Sequence, residues 1–270
     1  MRKLWGLLVC LTLAPRAAVG QGSPSAKEQA RVLAIVVGFA HDYLNRLPDF
    51  NCIRTTQHYL AKAGATGKDW RPQVKVASEL SYYGQAEHYR IVAVDGVSKQ
   101  KVPAHTTNGG WIESDGNFGW VMKQLFDPKI DAHFHWYGWD EIAGKRALVF
   151  SYHVDLAEST AASTRCVGWI VFNTCKSLKY AFHGLLFIRQ GTTEILRITH
   201  IPENLPSSYV QGESFVDYGR VMVAGNEYLL PVADGIEATI NKTQFRNLST
   251  YSEYRKFVAD STLKPAVDQQ

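Results

Sequence analysis

The sequence predicts a mainly β fold with some α: an incomplete antiparallel β-barrel, a strongly curved sheet plugged by a long N-terminal helix and a short helical loop. Three observations predict it. Segments with a period of two recur along the 270 residues, joined by short Gly-bearing turns, which is the pattern of an antiparallel meander. One early segment instead repeats its apolar residues every three and four positions, as an amphipathic helix does. The strands also carry much bulky apolar surface for so little helix to cover, which suits an open barrel with a plug.

The first residues lie outside that pattern. Arg2 and Lys3 are basic, Leu4 to Ala14 is an apolar run too short to span a bilayer, and Ala18-Val19-Gly20 offers a small-residue cleavage site. Residues 1–20 therefore read as a signal peptide, with an exported product starting near Gln21. Cys10 sits in the apolar run, but Val9 before it is not the small residue of a lipoprotein signal. Removing residues 1–20 takes away Arg2, Lys3 and Arg16 and no acid, so the formal charge falls from +4 to +1. No basic stripe remains to recommend nucleic acid as a partner. The expected layout is a single β domain over 21–262 and a flexible tail over 263–270.

In order, Pro24 or Ser25 starts the helix, and Val32, Val36, Val37, Ala40 and Tyr43 build its apolar stripe until Leu47-Pro48 ends it. Strands are expected over 49–62, 73–83 and 87–94, the last closed by Asp95-Gly96. The run 109–128 is Gly-rich and then helix-like from Asn117 to Phe126, a loop carrying a short helix over a barrel mouth. Strands resume at 132–139 and 146–156, and the small polar residues 157–165 read as an exposed loop. The meander 180–232 follows, with a turn at Ala224-Gly225-Asn226, and 235–254 holds one or two more strands.

Three cysteines follow the leader: Cys52, Cys166 and Cys175. Cys166 and Cys175 bracket an eight-residue segment that, doubled back, brings them within bridging range, so a structural disulfide is expected there. Cys52 reads as a buried small apolar residue, although a bridge from it to either of the others stays open.

Chemistry is harder to find. On a regular strand, His133, His135, Tyr137 and Trp139 share one face and Phe134 and Trp136 the other. Two His at i and i+2 can ligate one metal ion, but no third ligand is apparent, so no metal is assigned. Half-buried strand aromatics are the simpler reading. Gly-x-Ser-x-Gly, a Cys–His pair and a phosphate loop are absent in any convincing context, so no catalytic residue and no cofactor is assigned. Tyr82, Tyr89, Phe134, Trp136, Phe150, Tyr152, Phe187 and Ile198 are expected to line a cavity for an apolar ligand, with a plainly filled core as the alternative.

Taken in order, Leu47-Pro-Asp-Phe-Asn-Cys52, the hairpin from Gly184 to Arg197, Val216-Asp-Tyr-Gly-Arg-Val and Tyr228-Leu-Leu-Pro-Val resemble the outer-membrane lipoprotein-sorting, or lipoprotein carrier (Lol-type), proteins of the periplasm. The resemblance implies about eleven antiparallel strands with helices plugging the opening. It implies a non-enzymatic monomer in the periplasm of a Gram-negative bacterium, carrying a lipid, an acyl chain or a lipidated protein on the concave face. An envelope sensory or interaction module with a filled core is the alternative, and an exported metal-dependent hydrolase a more distant one.

Overall fold

The computed structural model describes residues 22–61, 69–98, 120–169, 172–240 and 242–257, without the side chains of 44 and 165–175. The expected signal peptide, the tail from 263 and the Gly-rich run 109–119 lie outside the described residues.

Helix α1 (Ala26–His41) begins where Ser25 caps it, its hydroxyl accepting from the Glu28 amide at 3.2 Å. Val32, Val36 and Ala40 recur every four residues and are its buried edge. The helix does not run unbroken to Leu47-Pro48: α1 stops at His41, and a single turn, α2 (Tyr43–Arg46), leads to Pro48. A third helix, α3 (Trp120–Phe126), buries Val121, Met122, Leu125 and Phe126.

The described strands are β1 (Phe50–Ala61), β2 (Trp70–Tyr83), β3 (Ala86–Val94), β4 (Val97–Ser98), β5 (His133–Ile142), β6 (Lys145–Val154), β7 (Ala162–Trp169) and β8 (Phe172–Lys179). They continue with β9 (Phe182–Arg189), β10 (Ile195–Pro202), β11 (Gln211–Val223), β12 (Asn226–Ile240) and β13 (Thr243–Lys256). Eleven of them form one antiparallel sheet in the order β4-β3-β2-β1-β13-β12-β11-β10-β9-β6-β5. The sheet ends at β4 and β5 and does not close into a barrel. Strands β7 and β8 pair only with each other, as a separate hairpin.

Two expected turns have the backbone that tight hairpins demand. Asp95 and Gly96 have φ of 48° and 78°, and Ala224 and Gly225 have 51° and 86°, the paired left-handed residues of a type I′ turn. Asp95 also fastens its turn, its carboxylate accepting from the Lys75 amide at 2.8 Å. The segment read as an exposed loop over 157–165 differs: Ser159 and Ala161 are fully buried and β7 has started by Ala162. Their small side chains suit close packing as well as exposure, so composition alone misleads there.

The largest apolar cluster joins Val32, Val36 and Ala40 of α1 and Val121, Met122, Leu125 and Phe126 of α3 to sheet residues including Phe150, Leu186, Ile195 and Ile198. A second gathers Phe50, Cys52, Leu80, Tyr82 and Tyr251, and Leu47 packs against both. The two helices therefore lie on one face of the sheet.

Candidate functional site

Register shows what that face is made of. In an antiparallel ladder, directly opposed residues point to the same side. Trp136, Phe150, Leu186, Ile198 and Val216 are opposed one to the next across β5, β6, β9, β10 and β11. Val216 opposes Asp234, which opposes Ser249, which opposes Thr56, which opposes Val76. One unbroken row on the helix-bearing face thus runs from apolar at the β5 end to polar at the centre. A neighbouring row repeats the change: Phe134 opposes Tyr152 at one end, His200 opposes Ser214, and Asn247 opposes His58.

The apolar half holds most of the cavity residues the sequence suggested. Phe150, Tyr152 and Ile198 are buried in the large cluster, and Phe134 and Trp136 pack half-buried against it. Tyr82 and Tyr89 belong to the second cluster, beyond the polar centre, so the structure splits the set. Phe187 does not join either group. It lies with Ala147, Val149 and Leu196 in a third cluster on the opposite face. The run Phe182–Arg189 is apolar on both sides, so its parity could not be read from the sequence.

Trp139 differs as well. A bulge between Trp136 and Gly138 inserts Tyr137 as an unpaired residue, turning Trp139 to the Trp136 face, their rings 5.4 Å apart and edge-on. The exposed face of β5 keeps His133 and His135. His133 opposes His153 and His153 opposes His183, whose Nδ1 lies 2.6 Å from Glu203 Oε1. Among the described residues, no group of three or more His, Cys, Asp or Glu side chains is arranged to hold a metal ion.

The sequence reading missed the polar centre. Arg54 and Asp234 form a buried ion pair at 3.0 Å, and the Tyr251 hydroxyl donates to the same carboxylate at 2.6 Å. The guanidinium stacks between Tyr89 and Tyr251, 5.7 and 5.9 Å from their ring centres. Tyr89 in turn donates to Glu87 at 2.5 Å. The hydroxyls of Thr56 and Ser249 share a hydrogen bond at 2.9 Å, and His58 Nδ1 lies 2.9 Å from Asn247 Oδ1. Each of Arg54, Thr56, His58, Asp234, Asn247 and Ser249 is at most 9% exposed.

Burial opposes the Arg54 charge, but Tyr251, Asp234 and Tyr89 more than offset it, and its pKa is raised. Burial lowers the His58 pKa, Asn247 works against that shift and Arg54 adds to it, which favours neutral imidazole. At the border of the two halves, Tyr218 is buried beside Tyr43, their rings 6.4 Å apart and edge-on. Its hydroxyl has no hydrogen-bond partner among the described residues. Burial raises its pKa, and the Glu87 charge adds to the shift.

Strand β1 holds the only hint of this centre. Its sequence FNCIRTTQHYL mixes polar and apolar residues on both faces, and only the observed alternation of burial shows that Arg54, Thr56 and His58 face in.

The side chains of Cys166 and Cys175 lie outside the described residues, but the backbone register sets the two directly opposite each other in the β7–β8 hairpin. Cys52 is a free, buried thiol.

No family model matches the chain, and no curated protein matches it. Solved structures do align with it. One is a DUF1329 family protein from Desulfovibrio piger, 13% identical, covering 84% of this chain and 93% of that one with a TM-score of 0.37. A LolA superfamily protein from Nitrosomonas europaea is 10% identical, with coverage of 83% and 93% and a TM-score of 0.33. A putative outer membrane lipoprotein-sorting protein domain from Vibrio parahaemolyticus is 8% identical, with coverage of 83% and 90% and a TM-score of 0.35. At these identities and TM-scores the likenesses carry no argument about function.

Proposed function

We propose that the protein is an exported, non-catalytic carrier that binds a lipid, an acyl chain or a lipidated protein on the helix-bearing face of its sheet. The observation that supports this reading is the open eleven-stranded sheet whose apolar half is covered by α1 and the seven-residue α3 rather than by a second sheet. Two helices, one of them a short one, are a cover that can lift as a unit, exposing a long apolar strip to a chain of matching shape. The leader-like residues 1–20 support an envelope location for the carrier, and the reading expects a monomer in the periplasm.

A second reading has its own support. Phe150, Phe182, Leu186 and Ile198 are essentially inaccessible, as in a filled core. The protein would then be an interaction module that uses its outer surfaces. Native mass spectrometry of exported protein, with solvent extraction of the same sample, separates the two. The carrier reading expects a discrete lipid adduct, reduced by Trp136→Ala and unchanged by Phe187→Ala, because Phe187 faces away. A clean apo mass with no lipid recovered favours the interaction module.

A further inference from the structure

We propose that Arg146 and Trp139, where the apolar strip runs out at the β5 end of the sheet, hold the head of the ligand, and that this head is anionic. The cargo is then an amphiphile with an apolar chain and a carboxylate or phosphate head. This rests on the carrier reading above and narrows it to a ligand class.

A path of ring contacts leads from the core to this point. Phe150, buried in the large cluster, meets Trp136 edge-on at 5.6 Å, and Trp136 meets Trp139 edge-on at 5.4 Å. The Arg146 guanidinium lies over the Trp139 ring, 4.6 Å from its centre. Phe150 is inaccessible, whereas Trp136, Trp139 and Arg146 are half-buried, so the strip opens toward solvent here. An apolar chain lying along Leu186, Phe150 and Trp136 brings its head to Arg146.

Charge gives the sign of that head. Among the described residues Arg146 forms no ion pair, and its buried Nε has no hydrogen-bond partner. Glu141 opposes it in the ladder but is exposed and does not pair with it. The Asp140 carboxylate accepts from the Glu141 amide at 2.7 Å, and Lys145 pairs with Glu194 at 3.5 Å. The guanidinium is left without a paired counter-charge, and its planar fork of donors suits a carboxylate or a phosphate. Were Arg146 only a shield for Trp139, a methionine would cover the ring without burying an unsatisfied donor.

Trp139 supplies a second donor and links the site to the cover. Its indole N–H donates to the Gly22 carbonyl at 3.4 Å, and the nearby Pro24 carbonyl accepts from the Gln29 side chain of α1 at 2.7 Å. The lead-in therefore moves with α1, and lifting the cover frees the indole N–H beside Arg146. An incoming head meets the half-exposed guanidinium first and takes up the indole N–H as the cover rises.

The test compares decanoate, decyl phosphate and decanol on the full mature protein, below their micelle concentrations and at about pH 7.5, where a free carboxylate is ionised. Calorimetric titration is expected to show both anions binding at least about tenfold more tightly than decanol. The tighter of the two names the source, a free fatty acid for decanoate and a phospholipid-type head for decyl phosphate. Arg146→Met is expected to bring both anions to within about threefold of decanol. Trp139→Phe keeps a ring under Arg146 and removes only the indole N–H, so it is expected to cut the preference for anions about threefold. It stands as the test should Arg146→Met misfold. Equal affinity for the three probes, or a preference for anions that survives these changes, overturns the anionic head site while leaving a carrier of plain chains. Failure of every probe to bind overturns the carrier reading with it.

Discussion

His200 shows what the interior imposes on a single residue. It sits on β10 with Nε2 3.2 Å from the Tyr180 hydroxyl and its ring 4.5 Å from that of Phe182. Burial, helped by the nearby His183, holds its pKa down to about 3. An unfolded chain binds this proton near the ordinary histidine value of about 6.5. Between those values the unfolded state holds a proton that the folded state refuses. The contribution of His200 is therefore fully present above pH 6.5 and lost as pH falls, by roughly 1.4 kcal/mol per unit. Urea titrations from pH 7 to pH 5 should show His200→Gln losing less stability than the wild type. Parallel slopes would show that the imidazole is not held neutral. Arg54 carries the opposite risk, because it is charged and buried. Arg54→Met takes the cation away from the buried Asp234 carboxylate and should cost about 3–5 kcal/mol, whereas Arg54→Met/Asp234→Leu, which removes both charges, should recover most of it. A double variant no more stable than the single one would mean that the pair does not act as a unit.

At the scale of the element, the contact between β9 and β10 depends on an absent side chain. A Cβ on Gly184 would fall on the Thr199 carbonyl oxygen and within 2.7 Å of the Tyr152 hydroxyl, which donates to that same oxygen. The obstacle is backbone, so it cannot rotate away. Gly184→Ala should destabilise by about 1–3 kcal/mol, and adding Tyr152→Phe should not rescue it. A melting temperature unchanged by Gly184→Ala would show that the strands separate freely. The β7–β8 hairpin raises a different question, since a two-stranded hairpin is marginal in water alone. Opposed residues in an antiparallel pair lie about 4.5–5.5 Å apart at Cα, inside the range a disulfide spans. A Cys166–Cys175 bridge is therefore expected, read as a two-hydrogen mass deficit that reduction removes. Cys52 should stay unalkylated in the native state, because burial pushes its thiol pKa up to about 12. Native alkylation at Cys166 and Cys175 would refute the bridge. The elements themselves were largely legible, because alternation and turn chemistry are local properties. The β5 bulge was not, because nothing in His-Phe-His-Trp-Tyr-Gly-Trp marks which residue slips out of register. The polar centre was not either: its partners are contributed by residues 54–58 and 234–251, and only the pairing of distant strands brings them together.

Over the whole molecule that pairing is the organising fact. Strand β13, last among the described residues, lies between β1 and β12, and Phe50 opposes Lys256. The sheet therefore joins the two ends of its described sequence near its middle, while its edges, β4 and β5, come from the interior of the chain. Such closure is entropically expensive and favours slow folding, since the long-range contacts are rewarded only after the loop is formed. It also makes the last strand indispensable to the first. Without β13, Thr56 loses Ser249, His58 loses Asn247 and Asp234 loses Tyr251, and β1 and β12 both gain a bare edge in the centre of the sheet. A chain ending at residue 242 should therefore lose cooperative unfolding altogether. The expected far-ultraviolet dichroism on heating is a broad, shallow slope in place of a single transition, with dye binding to the exposed apolar face. If β13 were an appendage to a sheet stable without it, the shortened chain would keep a sharp transition displaced by a few degrees. That result would mean that β1–β4 and β5–β12 hold their structure as separate sheets, and would leave the polar centre as a contact between two units instead of the middle of one.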